Sequence, residues 1–322
     1  MYSEQMHYVL CKLKDYANEL GRVPMRHEFQ AQLPRVNFDV LFKSYDNMIK
    51  AAGLLKEDPP RPVFRDPKIL VLDIETKPMK VWSWGIWDQN IALDMIIEDW
   101  SVLSWAAKWV GSEEVIYQDL SGNSDYTDDK IIIKGIWELL NQADVIVTQN
   151  GARFDEKKLN TKFEEHGFGP PTPFKHIDTL KIKKKYLALT SNKLEFSTGK
   201  FNEKYTKLKH KKFPGMSLWL ECLKGNQEAW AEMKEYNIHD VLSLEELYMR
   251  LKKWDKTINY GVYTGEKFSC PTCGNVDLEE RESSFNFTKT GKFQNYFCKA
   301  CGSHSSGKDN LLDKNLRKAF LK

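Results

Sequence analysis

Apolar positions Met6, Val9, Leu10, Leu13, Tyr16, Ala17 and Leu20 recur at helical spacing, and Gly21 and Pro24 end the run. A second helical pattern passes from Phe38 through Val40, Leu41, Tyr45, Met48 and Ile49 to Ala52. Together they predict a small helical domain over 1–56. Residues 57–67 hold four prolines, which resist helix and favour an extended spacer. The pattern then changes. An apolar run at 69–72 predicts a buried strand over Lys68–Asp73. Further strands are expected at Val102–Trp109, Val115–Gln118 and Asp144–Thr148, and helices at Asp128–Asn141, Asp155–His166 and Gln227–Trp254. Strands first, then helices alternating with strands, predict an α/β sheet over 68–256. A third module spans 262–306, with a hairpin turn at Gly291, and 307–322 reads as a polar tail. No internal repeat is seen.

The 322 residues leave room for two or three domains, and 41% hydrophobic with 29% charged residues describes a soluble globular chain. No apolar stretch approaches the roughly 20 residues that span a bilayer. The start, Met-Tyr-Ser-Glu-Gln, lacks a basic region followed by an apolar one. The expected location is the cytoplasm, or a host's cytoplasm for a phage-encoded protein. A net charge of +3 implies little, but residues 175–212 hold 12 lysines against Asp178, Glu195 and Glu203. Lys183-Lys184-Lys185 and Lys207–Lys212 are the densest points. Such a patch can track phosphates, or form solvated helix faces.

Asp73 and Glu75 are two apart on a predicted strand, so both face one way. Tyr236 and Asp240 are four apart on a predicted helix and share one face. Asp155 ends Asn150-Gly-Ala-Arg-Phe-Asp155. Four convergent carboxylates could hold two Mg²⁺ or Mn²⁺ ions and hydrolyse a phosphodiester. A tyrosine with a pKa near about 10 is a poor general base, so Tyr236 would orient the water. His239 lies about 100° from Asp240 around the helix and reads as a surface or supporting residue. Asp178 reads as supporting, and Asn150 and Phe154 as shaping the site.

These residues resemble the DEDD superfamily of 3′–5′ exonucleases on the ribonuclease H-like fold. Its three motifs fall on Asp73 and Glu75, on Asn150, Phe154 and Asp155, and on Tyr236 and Asp240. The tyrosine resembles the subtype of the family A and family B polymerase proofreading domains. The histidine subtype would need His where Glu235 stands. The resemblance covers 68–254 and is nearest to stand-alone phage and bacterial exonucleases related to the polymerase B proofreading domain. It implies a ribonuclease H-like mixed sheet flanked by helices, and a two-metal exonuclease releasing nucleoside 5′-monophosphates from single-stranded DNA. An RNA-trimming exonuclease with the same site, and a nucleic-acid-binding adaptor with a vestigial core, remain alternatives.

Six of ten tryptophans lie between Trp82 and Trp109. Trp105 and Trp109 belong to the predicted core; Trp82, Trp84 and Trp87 fit either core or a platform stacking unpaired bases. Candidate nucleic-acid contacts are therefore Thr76, Trp82, Trp84, Asn150, Lys183, Lys184 and Lys185. Cys270-Pro-Thr-Cys273-Gly and Cys298-Lys-Ala-Cys301-Gly are two Cys-x-x-Cys-Gly turns, predicting one structural Zn²⁺ in a Cys₄ zinc ribbon. His304 falls outside that shell. Cys11 and Cys222 read as small buried hydrophobes. Leu20–Phe29 followed by Leu41–Leu54 resembles the helix-turn-helix repeat associated with homing endonucleases. That implies duplex DNA contact, while docking on a replication protein is an equal reading. No membrane partner is expected.

Overall fold

The computed structural model describes residues 4–54, 64–206 and 212–320. Residues 57–63 of the proline-rich spacer and Lys207–Lys211 of the second lysine cluster lie outside the described residues. The chain divides into two compact units, Met1–Val63 and Phe64–Lys322.

The first unit holds helices α1 (Glu4–Leu20), α2 (Arg26–Gln32), α3 (Phe38–Phe42) and α4 (Tyr45–Ala51). Its core is Val9, Leu10, Leu13, Phe29, Phe38, Phe42, Met48 and Ile49. The single helix expected over 38–52 is two. Lys43 turns left-handed at φ 66°, and the Ser44 side chain accepts from Asn47 N to start α4. Cys11 is exposed, a correction: one residue past Leu10, it turns off the stripe that buries Val9, Leu10, Leu13 and Ala17.

The second unit is built on β1 (Ile69–Thr76), β2 (Lys80–Val81), β3 (Ile96–Glu98), β4 (Val102–Trp109), β5 (Val115–Asp119), β6 (Val145–Thr148) and β7 (Lys175–Asp178). Five strands form one sheet in the order β5-β4-β1-β6-β7. β1 pairs antiparallel with β4 but parallel with β6, which pairs parallel with β7. The helices are α5 (Lys130–Leu140), α6 (Asp155–His166), α7 (Thr179–Tyr186), α8 (Leu194–Phe201), α9 (Ser217–Leu223) and α10 (Gln227–Leu251).

Alternation along β1 divides the core. Leu70, Leu72 and Ile74 pack with α5 and α6 residues Ile132, Ile136, Leu159 and Phe163. Ile69 and Val71 pack on the other face with Ile182, Val241, Leu244 and Tyr248. Asp73 and Glu75 share the parity of Ile69 and Val71, so they face the α10 side. Register opposite them on β4 falls at Ala106 and Ser104.

Beyond α10, a short helix α11 (Tyr260–Thr264) leads to β8 (Leu278–Thr288), β9 (Gly291–Cys298) and β10 (His304–Ser306), a sheet ordered β10-β9-β8, and then α12 (Lys314–Ala319). The expected turn closes β8 on β9, with Thr288 opposite Gly291. Ile258, Tyr260 and Tyr263 pack against the α10-side core, and Tyr260 N donates to Pro271 O inside the first cysteine turn (2.9 Å). The cysteine module is thus joined to the sheet domain by packing as well as by chain. No described helix is long and apolar enough to cross a membrane.

Candidate active site

The site forms where the central strand ends. β1 carries Asp73 and Glu75 to its carboxyl end, where its antiparallel and parallel neighbours lie on opposite sides. Crevices of this kind at strand carboxyl ends are where α/β sheets bind ligands. Asp155 is the first residue of α6, and its carboxylate Oδ1 accepts from Ile74 N at 3.2 Å. The backbone therefore ties the second motif to the strand between the two acids of the first. α10 brings the third motif. Asn237 Nδ2 donates to Asp73 Oδ2 (2.8 Å) and to Asp73 O (3.3 Å), while its Oδ1 accepts from Ser104 Oγ (3.2 Å).

Tyr236 shows the convergence electrostatically. Burial, then the charges of Asp240, Glu75 and Asp73, raise its pKa well above that of an ordinary phenol, and its side chain hydrogen bonds with Asp240. Trp219 of α9 meets the ring edge-on, centroids 6.3 Å apart. The hydroxyl stays protonated at any working pH. Asp155 is pushed up to about 7, chiefly by burial, with the Asp178 charge adding to it. Acidic groups gathered at one strand end, with Asp155 and Asp240 buried, call for positive charge. Carboxylate oxygens suit a hard divalent ion such as Mg²⁺ or Mn²⁺, so Asp73, Glu75, Asp155 and Asp240 fit such ions chemically. They do not close as tightly as the cysteines. Among the described residues, only Cys270, Cys273, Cys298 and Cys301 form a group of three or more ligands within 4.8 Å of one another.

The second motif is braced from behind. Asn150 adopts φ 67°, and its N–H donates to Asp178 Oδ1 (2.9 Å), which also accepts from Leu180 N to cap α7 (2.9 Å). Thr148 Oγ1 meets His176 Nε2 at 2.7 Å, and His176 Nδ1 meets Glu156 at 2.6 Å, beside Asp155. Gly151 leaves no space for a side chain, since a Cβ would stand 2.2 Å from Thr148 Oγ1. His239 contacts Thr206 O, away from the carboxylates.

The candidate nucleic-acid contacts separate into groups. Trp82, Trp84 and Trp87 are 72%, 94% and 82% exposed, so they are not core. Trp105 is buried and donates to Ile132 O (2.7 Å). Lys184 and Lys185 are exposed, and Thr76 and Asn150 half-buried. Lys183 is a correction. It is wholly buried, its ammonium donating to Ser197 Oγ (2.7 Å) and Asn192 O (3.1 Å). α8 covers that face of α7, so Lys183 cannot reach a phosphate. Asn237 was missed by sequence reasoning, although it adjoins Tyr236. Lys158, one helical turn from Asp155, holds its ammonium 3.5 Å from the Trp100 ring centroid.

The cysteine cluster has metal-site dimensions. Sγ atoms of Cys270 and Cys301, and of Cys273 and Cys298, are 3.7 Å apart. A tetrahedral shell with Zn–S of about 2.3 Å sets sulfurs roughly 3.8 Å apart. Burial raises the Cys270 thiol, but bonds from Ser303 and from the Thr272 and Cys273 backbone bring it down to about 7. The cluster is compatible with a zinc ribbon.

Residues 105–252 match the RNase_H_2 family of the RNase_H superfamily. Over that stretch, from within β4 to just past α10, the sheet domain resembles the ribonuclease H-like fold. Among solved structures, the family B DNA polymerase from the hyperthermophilic archaeon Pyrobaculum calidifontis is similar over 72% of this chain, at 14% identity and a TM-score of 0.44. The overlap spans 32% of that polymerase. No curated protein matches the chain. The ribonuclease H-like fold with its acidic strand end supports a nuclease acting on nucleic acid.

Proposed function

We propose that this protein is a metal-dependent 3′–5′ exonuclease of the tyrosine DEDD type, acting on single-stranded DNA. The observation that carries it is the gathering of Asp73, Glu75, Asp155 and Asp240 around the carboxyl end of β1, with Tyr236 among them. Those four carboxylates would hold two Mg²⁺ or Mn²⁺ ions, which supply an activated water and offset charge on the phosphate. Tyr236, kept protonated by its surroundings, acts as a hydrogen-bond donor that orients the water. Asn237 and the Ile74 N–H position Asp73 and Asp155. Water attacks the terminal phosphorus, the bond to the penultimate 3′-oxygen breaks, and that oxygen takes up a proton. The exposed Trp82, Trp84 and Trp87 favour a strand with unpaired bases, with Lys184 and Lys185 near its phosphates. One Zn²⁺ on Cys270, Cys273, Cys298 and Cys301 would hold the ribbon. In this reading the N-terminal helices contact duplex DNA or a replication protein in the cytoplasm.

The test is digestion of a 5′-labelled single-stranded DNA, beside an RNA of matching sequence, with Mg²⁺, Mn²⁺ or EDTA. A metal-dependent ladder on DNA, absent in Asp73→Ala, is expected. A ladder on RNA alone would transfer the activity to RNA trimming. No degradation of either strand would reject the enzyme and favour a binding adaptor.

A further inference from the structure

We propose that the β8–β9 hairpin is a second single-strand site, distinct from the carboxylates, which stacks bases on Phe285 and Phe287 and holds phosphate with Lys292. The inference rests on the nuclease reading only for its choice of ligand.

Phe285 and Phe287 are two apart on β8, so they share one face of the hairpin. Across the ladder, Phe287 stands opposite Lys292 and Phe285 opposite Gln294, which places Lys292 on that same face. The Lys292 ammonium lies 3.8 Å from the Phe285 centroid and 6.0 Å from that of Phe287. The two rings are 6.3 Å apart and nearly perpendicular. Phe287 is 68% exposed, although phenylalanine in a fold is ordinarily buried. Phe285 is half-buried beside it, and β8 is the edge strand of the sheet.

Charge selects the occupant. At the turn end of the hairpin, from Ser283 to Phe297, the chain has Lys289 and Lys292 and no acidic residue, while Glu279, Glu280 and Glu282 lie at the other end of β8. An apolar protein partner needs no such one-sided charge. A polyanion whose subunits each present a flat apolar face matches both features, and single-stranded nucleic acid is that ligand. A duplex hides its base faces and would engage the lysines alone. The hairpin is also rigid enough to serve as a platform. Gln294 Nε2 ties the β8 irregularity by donating to Arg281 O (2.7 Å) and Ser284 O (3.3 Å).

The experiment is fluorescence anisotropy with 5′-labelled (dT)20 and (U)20, using the full chain in the Asp73→Ala background. Adding Phe285→Ala and Phe287→Ala should weaken binding to at least one oligomer by about tenfold or more, since stacking is lost at two positions. The arm with the larger loss identifies the sugar. Lys292→Gln should lower the slope of log affinity against log salt by about 0.7, one single-strand phosphate contact. Zinc content and melting temperature report whether the variants keep the fold. Affinities within twofold of the parent on both oligomers, or an equal loss on a duplex of matching sequence, would overturn the platform. The catalytic reading fails separately: a protein that binds (dT)20 through Phe285 and Phe287 yet cuts nothing keeps the platform and loses the nuclease.

Discussion

Asn237 offers the sharpest test of how the site is held. It is wholly buried, and its amide joins Asp73 on β1 to Ser104 on β4. Asn237→Ala removes a hydrogen bond to a carboxylate, about 1.5–3 kcal/mol, and strands the buried Ser104 hydroxyl, about 1–3 kcal/mol. Because the two share one side chain they do not simply add, and a net loss of roughly 2–4 kcal/mol is expected. The catalytic loss should be about 10–100-fold, the range for a group that orients a metal-binding residue. Asn237→Asp separates positioning from packing. It keeps the shape and the acceptor for Ser104, but turns a donor to Asp73 into a second negative charge. Urea denaturation gives the stability, and a Mg²⁺ titration of exonuclease rate gives the metal dependence. Both variants should need more Mg²⁺ for half-maximal rate, with Asn237→Asp at least as impaired as Asn237→Ala. If Asn237→Asp matches the parent within twofold in rate and Mg²⁺ midpoint, Asn237 is packing only.

Gly151→Ala should cost about 1–3 kcal/mol by overpacking Thr148 and reduce activity further by displacing Asn150–Asp155; unchanged kinetics would remove the steric argument. Lys183 is pulled down to about 8 by burial, so between about pH 8 and 10.5 the unfolded chain binds a proton that the folded one has released. Folding stability contributed by this group therefore rises with pH across that window. The urea midpoint of the parent relative to Lys183→Met should climb from pH 8 to pH 10, and a flat difference would refute the shift. Cys273→Ser should lower bound zinc from about one per chain toward none by elemental analysis. Through Tyr260 and Tyr263 it should also lower the melting temperature of the sheet domain; full zinc retention would reject the Cys₄ site.

Much of this protein is written in local periodicity and spacing. The apolar run before Asp73 makes a strand, and a strand's side chains alternate with a period of two, so Asp73 and Glu75 had to share a face whatever surrounds them. The Cys-x-x-Cys-Gly turns bring thiolates together by backbone geometry alone, and helix α6 begins at the predicted Asp155. Tertiary packing decided the rest. Three consecutive lysines are alike in sequence, yet only Lys183 meets Ser197 under α8. Trp82, Trp84 and Trp105 are alike as residues, and the pairing of β4 between β1 and β5 buries only the last. Asn237 becomes a support for Asp73 because α10 crosses a strand 164 positions earlier in the chain. Partners that distant are set by which faces pack, and no window of sequence contains both.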